Sequence, residues 1–451
     1  NGQYDWRKLG KQIEMAQILN ARVMLVLGGT PAWAGDGSVQ SNPRSIDDWR
    51  DYVGTVACRY GASITAYEVW NEANLQTFWK GTPAEMAELT KVAFEEIRRC
   101  NPSALVVAAN TTSRATGSFG SFFPEYLEEM KKRGWPADAY SVHSYPSASG
   151  GADDRIKGIS QFRSMLALAG APFTTTFDTE INYGLAGLGE GKVDLTGANA
   201  MTLLARTYID SARYGFGSTF WFVWTANPDS KFGIQFTGAS SAEQRAWQTT
   251  HDWLVGAQYQ RCFETPEGVV VCQFNKGADN FSLVWRGDVG SPTTATPAGY
   301  FAGLGSQACH LYGTCIGFSQ FTEIPVGPMP QRISGPALGS GFAAPPQAAQ
   351  PIAPPATKPA EATIVITGER ATVNGKPGIV VNGVTTGLAE GDTVKVFARF
   401  PGQITFTEVT ARPAVVNGAF TWKLETGKRT TVYITTMDGS VRSNRVIIQV
   451  A

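Results

Sequence analysis

A parallel (β/α)8 barrel of the TIM type, followed by a small β domain and a C-terminal β-sandwich, is the α/β fold class that this sequence predicts. Three observations carry that prediction. From about residue 10 to residue 256, apolar or β-branched runs alternate with amphipathic helical stretches, at the spacing of roughly 30–45 residues that βα units need. From residue 258 the pattern changes to short alternating runs rich in Gly, Pro and Cys. A Pro- and Ala-rich stretch containing Pro345, Pro346, Pro351, Pro354, Pro355 and Pro359 then precedes a last block of short strands. Such a composition cannot build a core and reads as an extended linker. The expected domains are 1–257 for an N-terminally incomplete barrel, 258–333 for a small β domain packed on it, 334–361 for the linker and 362–451 for an immunoglobulin-like sandwich.

The elements follow in order. Barrel strands are expected over 22–27, 64–69, 105–109, 140–145, 173–179 and 218–224, runs suited to strands buried on both faces. Ser45 opens a helix with Trp49, Tyr52, Val53 and Val56 on one face. Thr82-Pro83-Ala84-Glu85 reads as a capping box with Pro at the first helical position, and Met86, Leu89, Ala93 and Ile97 follow at helical spacing. Only six strands are visible where a closed barrel has eight. The chain also opens on Tyr4-Asp5-Trp6-Arg7, which looks like the start of the helix leading into the first of them. The absent strands are expected on the N-terminal side, from a separate N-terminal segment or a separate chain completing the barrel, because an open sheet leaves unpaired edges. In the last block, Asn374-Gly375, Asn382-Gly383, Asn417-Gly418 and Asp438-Gly439 are the expected turns.

Composition narrows the function. The formal net charge is zero, so no basic field exists to attract nucleic acid or an anionic membrane. No run approaches the roughly 20 apolar residues of a membrane span, and no signal peptide is visible at Asn1. The six cysteines lack CxxC spacings and the chain has three His, so a metal centre is not expected. Sequential disulfides, Cys58–Cys100, Cys262–Cys272 and Cys309–Cys315, are the simpler account and imply an oxidising, extracytoplasmic compartment. The 12 Trp suit sugar binding as well as a core.

Two glutamates carry the chemistry. Glu72 closes the run Ile64 to Glu72, and Glu180 closes the run Phe173 to Glu180. Carboxylates at the mouths of two parallel strands are what retaining glycoside hydrolysis needs, one to give a proton and one to attack the sugar. In a barrel, the C-terminal strand ends converge on one pocket. A like charge opposite the acid raises its pKa, and Asn71 beside Glu72 can bind a sugar hydroxyl. No cofactor is required.

Thr30-Pro31-Ala32-Trp33-Ala34, Trp70-Asn71-Glu72-Ala73-Asn74 and Thr179-Glu180-Ile181-Asn182-Tyr183 together resemble the clan A glycoside hydrolases, closest to family 39. The resemblance covers about 1–256, with a weaker echo to about 330. It implies an eight-stranded barrel, with Glu72 as general acid/base after strand 4 and Glu180 as nucleophile after strand 7. It makes the absent strands 1 and 2, and with them a substrate-orienting Arg of strand 2. His143 and Tyr145 would hydrogen-bond the nucleophile or the sugar, and Trp224 would floor the −1 subsite, with Trp221 in the core. Trp33, Asn110, Phe78 and Trp79 lie on loops at the same face and could shape neighbouring subsites. Asp178, two before Glu180, should point to the same side one layer down. The expected partner is an oligo- or polysaccharide, of the cell wall or extracellular space. Two other readings fit the same residues: a non-catalytic carbohydrate-binding or cell-surface scaffold protein, and a transglycosylase.

Overall fold

The computed structural model describes residues 4–172, 175–224, 227, 229–236, 241–265, 267–297, 305–319, 323–335, 363–386, 388, 391–401, 406–416, 418–437, 443 and 446–449. The chain falls into two compact units, Asn1–Pro354 and Pro355–Ala451.

The first unit begins with the βα series: α1 (Arg7–Ile18), β1 (Met24–Leu27), α2 (Ile46–Tyr60), β2 (Ala66–Val69), α3 (Pro83–Cys100), β3 (Leu105–Val107), β4 (Thr111–Thr112), α4 (Thr116–Lys132), β5 (Ala139–His143), α5 (Ala152–Ala169), β6 (Thr175–Ile181), α6 (Gly197–Arg213), β7 (Phe216–Trp221) and α7 (Ala242–Leu254). The strands pair in the order β1-β2-β3-β5-β6-β7, with β4 alongside β5, and every pairing is parallel. Each crossover carries a helix, as parallel strands require. This is the βα sheet of a TIM-type barrel with β1 and β7 as its two edges. Residues 173–174 of the fifth expected strand lie outside the described residues.

Local signals set the helix starts. Thr82 and Glu85 form the reciprocal capping box and Pro83 sits in the first turn of α3. The Ser45 side chain accepts from the Asp47 N–H at the start of α2. Trp49, Val53, Val56, Met86, Leu89, Ala93 and Ile97 then bury against outward strand residues such as Tyr67, Val69 and Val142. The Cys58–Cys100 disulfide joins α2 to α3.

Next come β8 (Gln258–Glu264), β9 (Val269–Lys276), β10 (Asp279–Arg286), β11 (Thr294–Pro297), β12 (Gln307–Cys309), β13 (Cys315–Gly317), β14 (Glu323–Val326) and β15 (Gln331–Ser334). Six of them form a sheet in the order β13-β12-β15-β10-β9-β8, while β11 pairs β14. Cys262–Cys272 and Cys309–Cys315 each bridge directly opposed residues of neighbouring strands. Phe274, Leu283 and Trp285 share one core with Met201, Ala205 and Ile209 of α6 and Trp253 of α7. The sheet is thereby fused to the βα series.

The second unit holds β16 (Thr363–Val373), β17 (Lys376–Thr386), β18 (Val394–Arg399), β19 (Thr407–Val409), β20 (Ala419–Glu425), β21 (Thr430–Thr436) and β22 (Val446–Ile448). Two antiparallel sheets, β16-β17-β20 and β19-β18-β21-β22, bury Ile366, Val381, Val396, Phe420, Trp422 and Ile434 between them. Asn374 and Gly375 make the β16–β17 turn at φ 52° and 79°. Asn382-Gly383 does not turn: it lies mid-strand in β17, paired on both sides. A Cβ on Gly383 would come within 2.0 Å of the Phe420 ring, so glycine serves there to admit an aromatic. Asn417, Asp438, Gly439 and most of the expected linker lie outside the described residues.

Candidate active site

The inward faces of the βα strands stack in layers. Ala66, Val107, Ala139 and Phe177 form a small apolar floor. Alternation places Glu68 and Ser141 above it, and the Thr179 hydroxyl donates to Glu68 Oε1 at 2.9 Å. Above these stand Glu72, His143 and Glu180. One oxygen of each carboxylate and a ring nitrogen of His143 lie within 4.8 Å of one another.

Glu72 reaches this layer through a turn. Trp70 and Glu72 have φ of 60° and 42°, a left-handed conformation that non-glycine residues hold only when their surroundings fix it. Asn110 does the fixing. Its Oδ1 accepts the Glu72 N–H at 2.6 Å, its Nδ2 donates to the Trp70 carbonyl at 3.1 Å, and its own carbonyl accepts the Ala73 N–H at 3.0 Å. The Trp70 ring is buried beside Trp79 and its Nε1 donates to the Phe78 carbonyl at 2.8 Å. Asn71, between the two strained residues, is partly exposed, and its side chain makes no hydrogen bond among the described residues.

Glu180 reaches the layer through a bulge. Val142 pairs Asp178 but His143 pairs Glu180, so Thr179 is an extra residue on β6. A bulge re-aims side chains. Here Thr179 and Glu180, neighbours in sequence, meet Glu68 and the Tyr145–His143 pair respectively. Asp178 takes the opposite face, where it pairs with Arg155 of α5 at 2.7 Å. The expectation that Asp178 and Glu180 share a side is therefore corrected by the bulge.

His143 Nδ1 lies 3.0 Å from Glu72 Oε1 and 3.5 Å from Glu180 Oε2. The Tyr145 hydroxyl donates to Glu180 Oε2 at 2.9 Å. Burial opposes charge on His143, but Glu180, Glu72 and Glu68 around it outweigh burial and push the imidazole up to about 9. Burial raises the Glu180 carboxyl, His143 opposes that shift, and Glu72 adds to it. Burial likewise raises Glu68 and Tyr145. Side-chain exposures of 12% for Glu72 and 24% for Glu180 leave both carboxylates open to a ligand.

The other expected residues divide. Asn110 is fully buried with both ends of its amide engaged; it clamps the turn and presents nothing to a sugar. Trp79 is core, held by Trp70 and by its Nε1 bond to the Thr82 carbonyl. Trp224 lies beyond the end of β7, 45% exposed, against Phe236 and Trp247. The strand expected over 218–224 ends at Trp221, so Trp224 lies outside the ladder. Trp221 is partly buried against Tyr183 and Phe236. Trp33 is 56% exposed on the loop after β1. Among the described residues no hydrogen bond or ring contact joins Trp33 or Trp224 to the two glutamates. Sequence reasoning passed over Glu68, although a carboxyl inside the run Ala66–Val69 is itself a signal, since a charge in a buried strand needs partners.

No family model matches the chain. A β-xylosidase of Geobacillus stearothermophilus is 26% identical over 160 residues, which are 32% of this chain and 31% of that enzyme. The chain thus aligns with under a third of the length of this curated relative. Among solved structures, a glucosidase from Croceicoccus marinus covers 94% of this chain and 80% of its own at 12% identity and a TM-score of 0.49. A family 10 xylanase from Thermobacillus composti covers 55% and 83% at 18% identity and a TM-score of 0.40. Superpositions this loose carry no argument, and the fold is read from the strand topology of this chain.

Proposed function

We propose that this chain carries the catalytic centre of a retaining glycosidase, with Glu180 as nucleophile and Glu72 as general acid/base. The approach of one oxygen of each carboxylate to within 4.8 Å supports the reading most. Retaining enzymes hold their carboxyl groups about 5–5.5 Å apart, whereas inverting ones leave about 6.5–9.5 Å for a water. The Glu180 carboxylate attacks the anomeric carbon while protonated Glu72 gives its proton to the glycosidic oxygen, and the aglycone leaves. Glu72 then takes a proton from water, the hydroxide oxygen bonds the anomeric carbon, and the Glu180 carboxylate is released with the original anomeric configuration. The Tyr145 O–H and the charge of His143 favour ionised Glu180, the form that attacks.

The relative named a β-xylosidase makes a β-xyloside the first substrate to try. Three disulfides support an extracytoplasmic enzyme, where cell-wall or extracellular polysaccharide would be its substrate. Two further βα units, in another segment or in a partner, would pair with the edges of β1 and β7, which have no further strand among the described residues and where Val26 and Phe220 are exposed. The test is azide rescue. Glu180→Ala should lose turnover of an aryl β-glycoside, and azide should restore it as a glycosyl azide of inverted configuration. Unimpaired turnover by Glu180→Ala would sink the assignment. Transfer of the sugar to added acceptors in place of water would move the reading to transglycosylation.

A further inference from the structure

Behind the carboxylates, on the helix-facing side of β5 and β6, lies a charge network that the reaction steps above do not use. Arg155 and Asp178 are both fully buried. Asp178 Oδ1 accepts the Ser144 N–H at 3.2 Å, and its Oδ2 accepts the Ser144 hydroxyl at 2.5 Å and Arg155 Nη2 at 2.7 Å. Arg155 Nε donates to Ser144 Oγ at 2.8 Å, Nη1 to the Thr207 carbonyl at 3.1 Å and Nη2 to Ser211 Oγ at 2.8 Å. Ser211 in turn accepts the Thr219 hydroxyl of β7 at 2.7 Å and donates to the Thr207 carbonyl at 2.7 Å. One guanidinium thus ties β5, β6 and α6 together, and through Ser211 it reaches β7.

An apolar pair of equal volume would hold α5 on the sheet about as well, because desolvating two charges offsets much of their attraction. What the charges add is direction, since a planar fork with fixed donors tolerates one geometry. That geometry falls at a telling place. Ser144 sits between His143 and Tyr145, and Asp178 is the residue just before the bulge. The strand pair is therefore clamped on its outer face at the step where its ladder is broken on the inner face.

We propose that Arg155 and Asp178 are positioning residues, holding the Thr179 bulge so that Glu180 is turned toward His143 and Tyr145. The inference rests on the reading of Glu180 as the nucleophile, and its test separates the two. Two variants of the full-length protein serve: Arg155→Lys, which keeps the charge but not the fork, and the pair Arg155→Met with Asp178→Asn, which strands neither charge. The first readout is the imidazole titration of His143 by NMR, assigned with His143→Gln; the chain has only two other His, His251 and His310. The second is turnover of aryl glycosides.

In the double variant the His143 midpoint, about 9 in the native protein, falls by about one unit or more as the Glu180 carboxylate moves off. Its kcat falls about 10- to 100-fold with KM little changed, the scale of a 1 Å misplacement. Arg155→Lys lies between the double variant and the native protein on both measures. A folded double variant with native His143 titration and native kcat would overturn the proposal. Should the double variant unfold, Arg155→Lys decides: native values on both measures overturn the clamp, and shifted values support it. Titration shifts in the variants alongside full turnover by Glu180→Gln would keep the clamp and discard the nucleophile.

Discussion

The strand pair β5–β6 and the C-terminal sandwich solve the same packing problem in opposite ways. The sandwich core is Ile, Val, Ala, Phe and Trp, and the buried polar residues among its described positions are Thr and Ser. The βα series buries Glu68, His143, Arg155, Asp178, Arg206 and Asp210. Apolar burial is the main force that holds a sheet together, and buried charge adds little net stability. A unit that nonetheless carries so many charges inside uses them for placement: an imidazole set between the Glu72 and Glu180 carboxylates, and a guanidinium joined to Asp178 beside the bulge. The difference teaches that the cost of charge burial marks where geometry matters.

The comparison can be broken or sharpened by experiment. The largest effect should come from Glu72→Gln, which is expected to lower turnover of an unactivated glycoside by more than about 10³-fold while leaving the melting curve in place; a loss under tenfold would remove Glu72 from the chemistry. In the sandwich, Trp422→Ala should cost about 3–5 kcal/mol by opening a cavity. That loss should appear in denaturant unfolding of the sandwich; a loss under about 1 kcal/mol would show that the ring fills no core there.

Reduction sharpens the contrast from the other side. All three disulfides lie in the first unit. Closing 42 residues, Cys58–Cys100 should contribute about 4 kcal/mol, and Cys309–Cys315, closing 6, nearer 2 kcal/mol. Calorimetry with a thiol reductant should shift the first unit and spare the sandwich.

The smallest effect is that of pH. The folded pKa of His143 lies above its unfolded value, so its stabilising contribution is complete below 6.5 and is lost as pH rises through about 9. Glu68 and Glu180, also raised, add stability at low pH that is lost as pH rises through their folded values. Stability of the first unit should decline across pH 6.5–9 while that of the sandwich stays flat, and His143→Gln should flatten the decline.

Much of this was legible along the chain. The capping box at Thr82–Glu85, the alternation of runs, the three cysteine pairs and the Asn374-Gly375 turn depend on residues close in sequence or on elements next to each other, and each is found as expected. The pair Glu72 and Glu180 was legible because each ends an apolar run. Other features were not. Asn382-Gly383 has the composition of a turn, yet an aromatic on β20 claims the space. Asn110 has the look of a loop residue at the mouth, yet it is used up on the backbone of 70–73. Nothing near Arg155 signals that it spans two strands and a helix.

By itself the sequence determined which segments are strands and helices, where the core faces point and which two acids stand at strand ends, because periodicity, caps and turns act over a few residues. Only the tertiary structure decided that Glu180 rather than Asp178 faces His143 and Tyr145, that Asn110 serves the turn and that His143 lies between the carboxylates. Those outcomes hang on a one-residue slip in strand pairing and on contacts between residues dozens of positions apart, to which no local pattern responds.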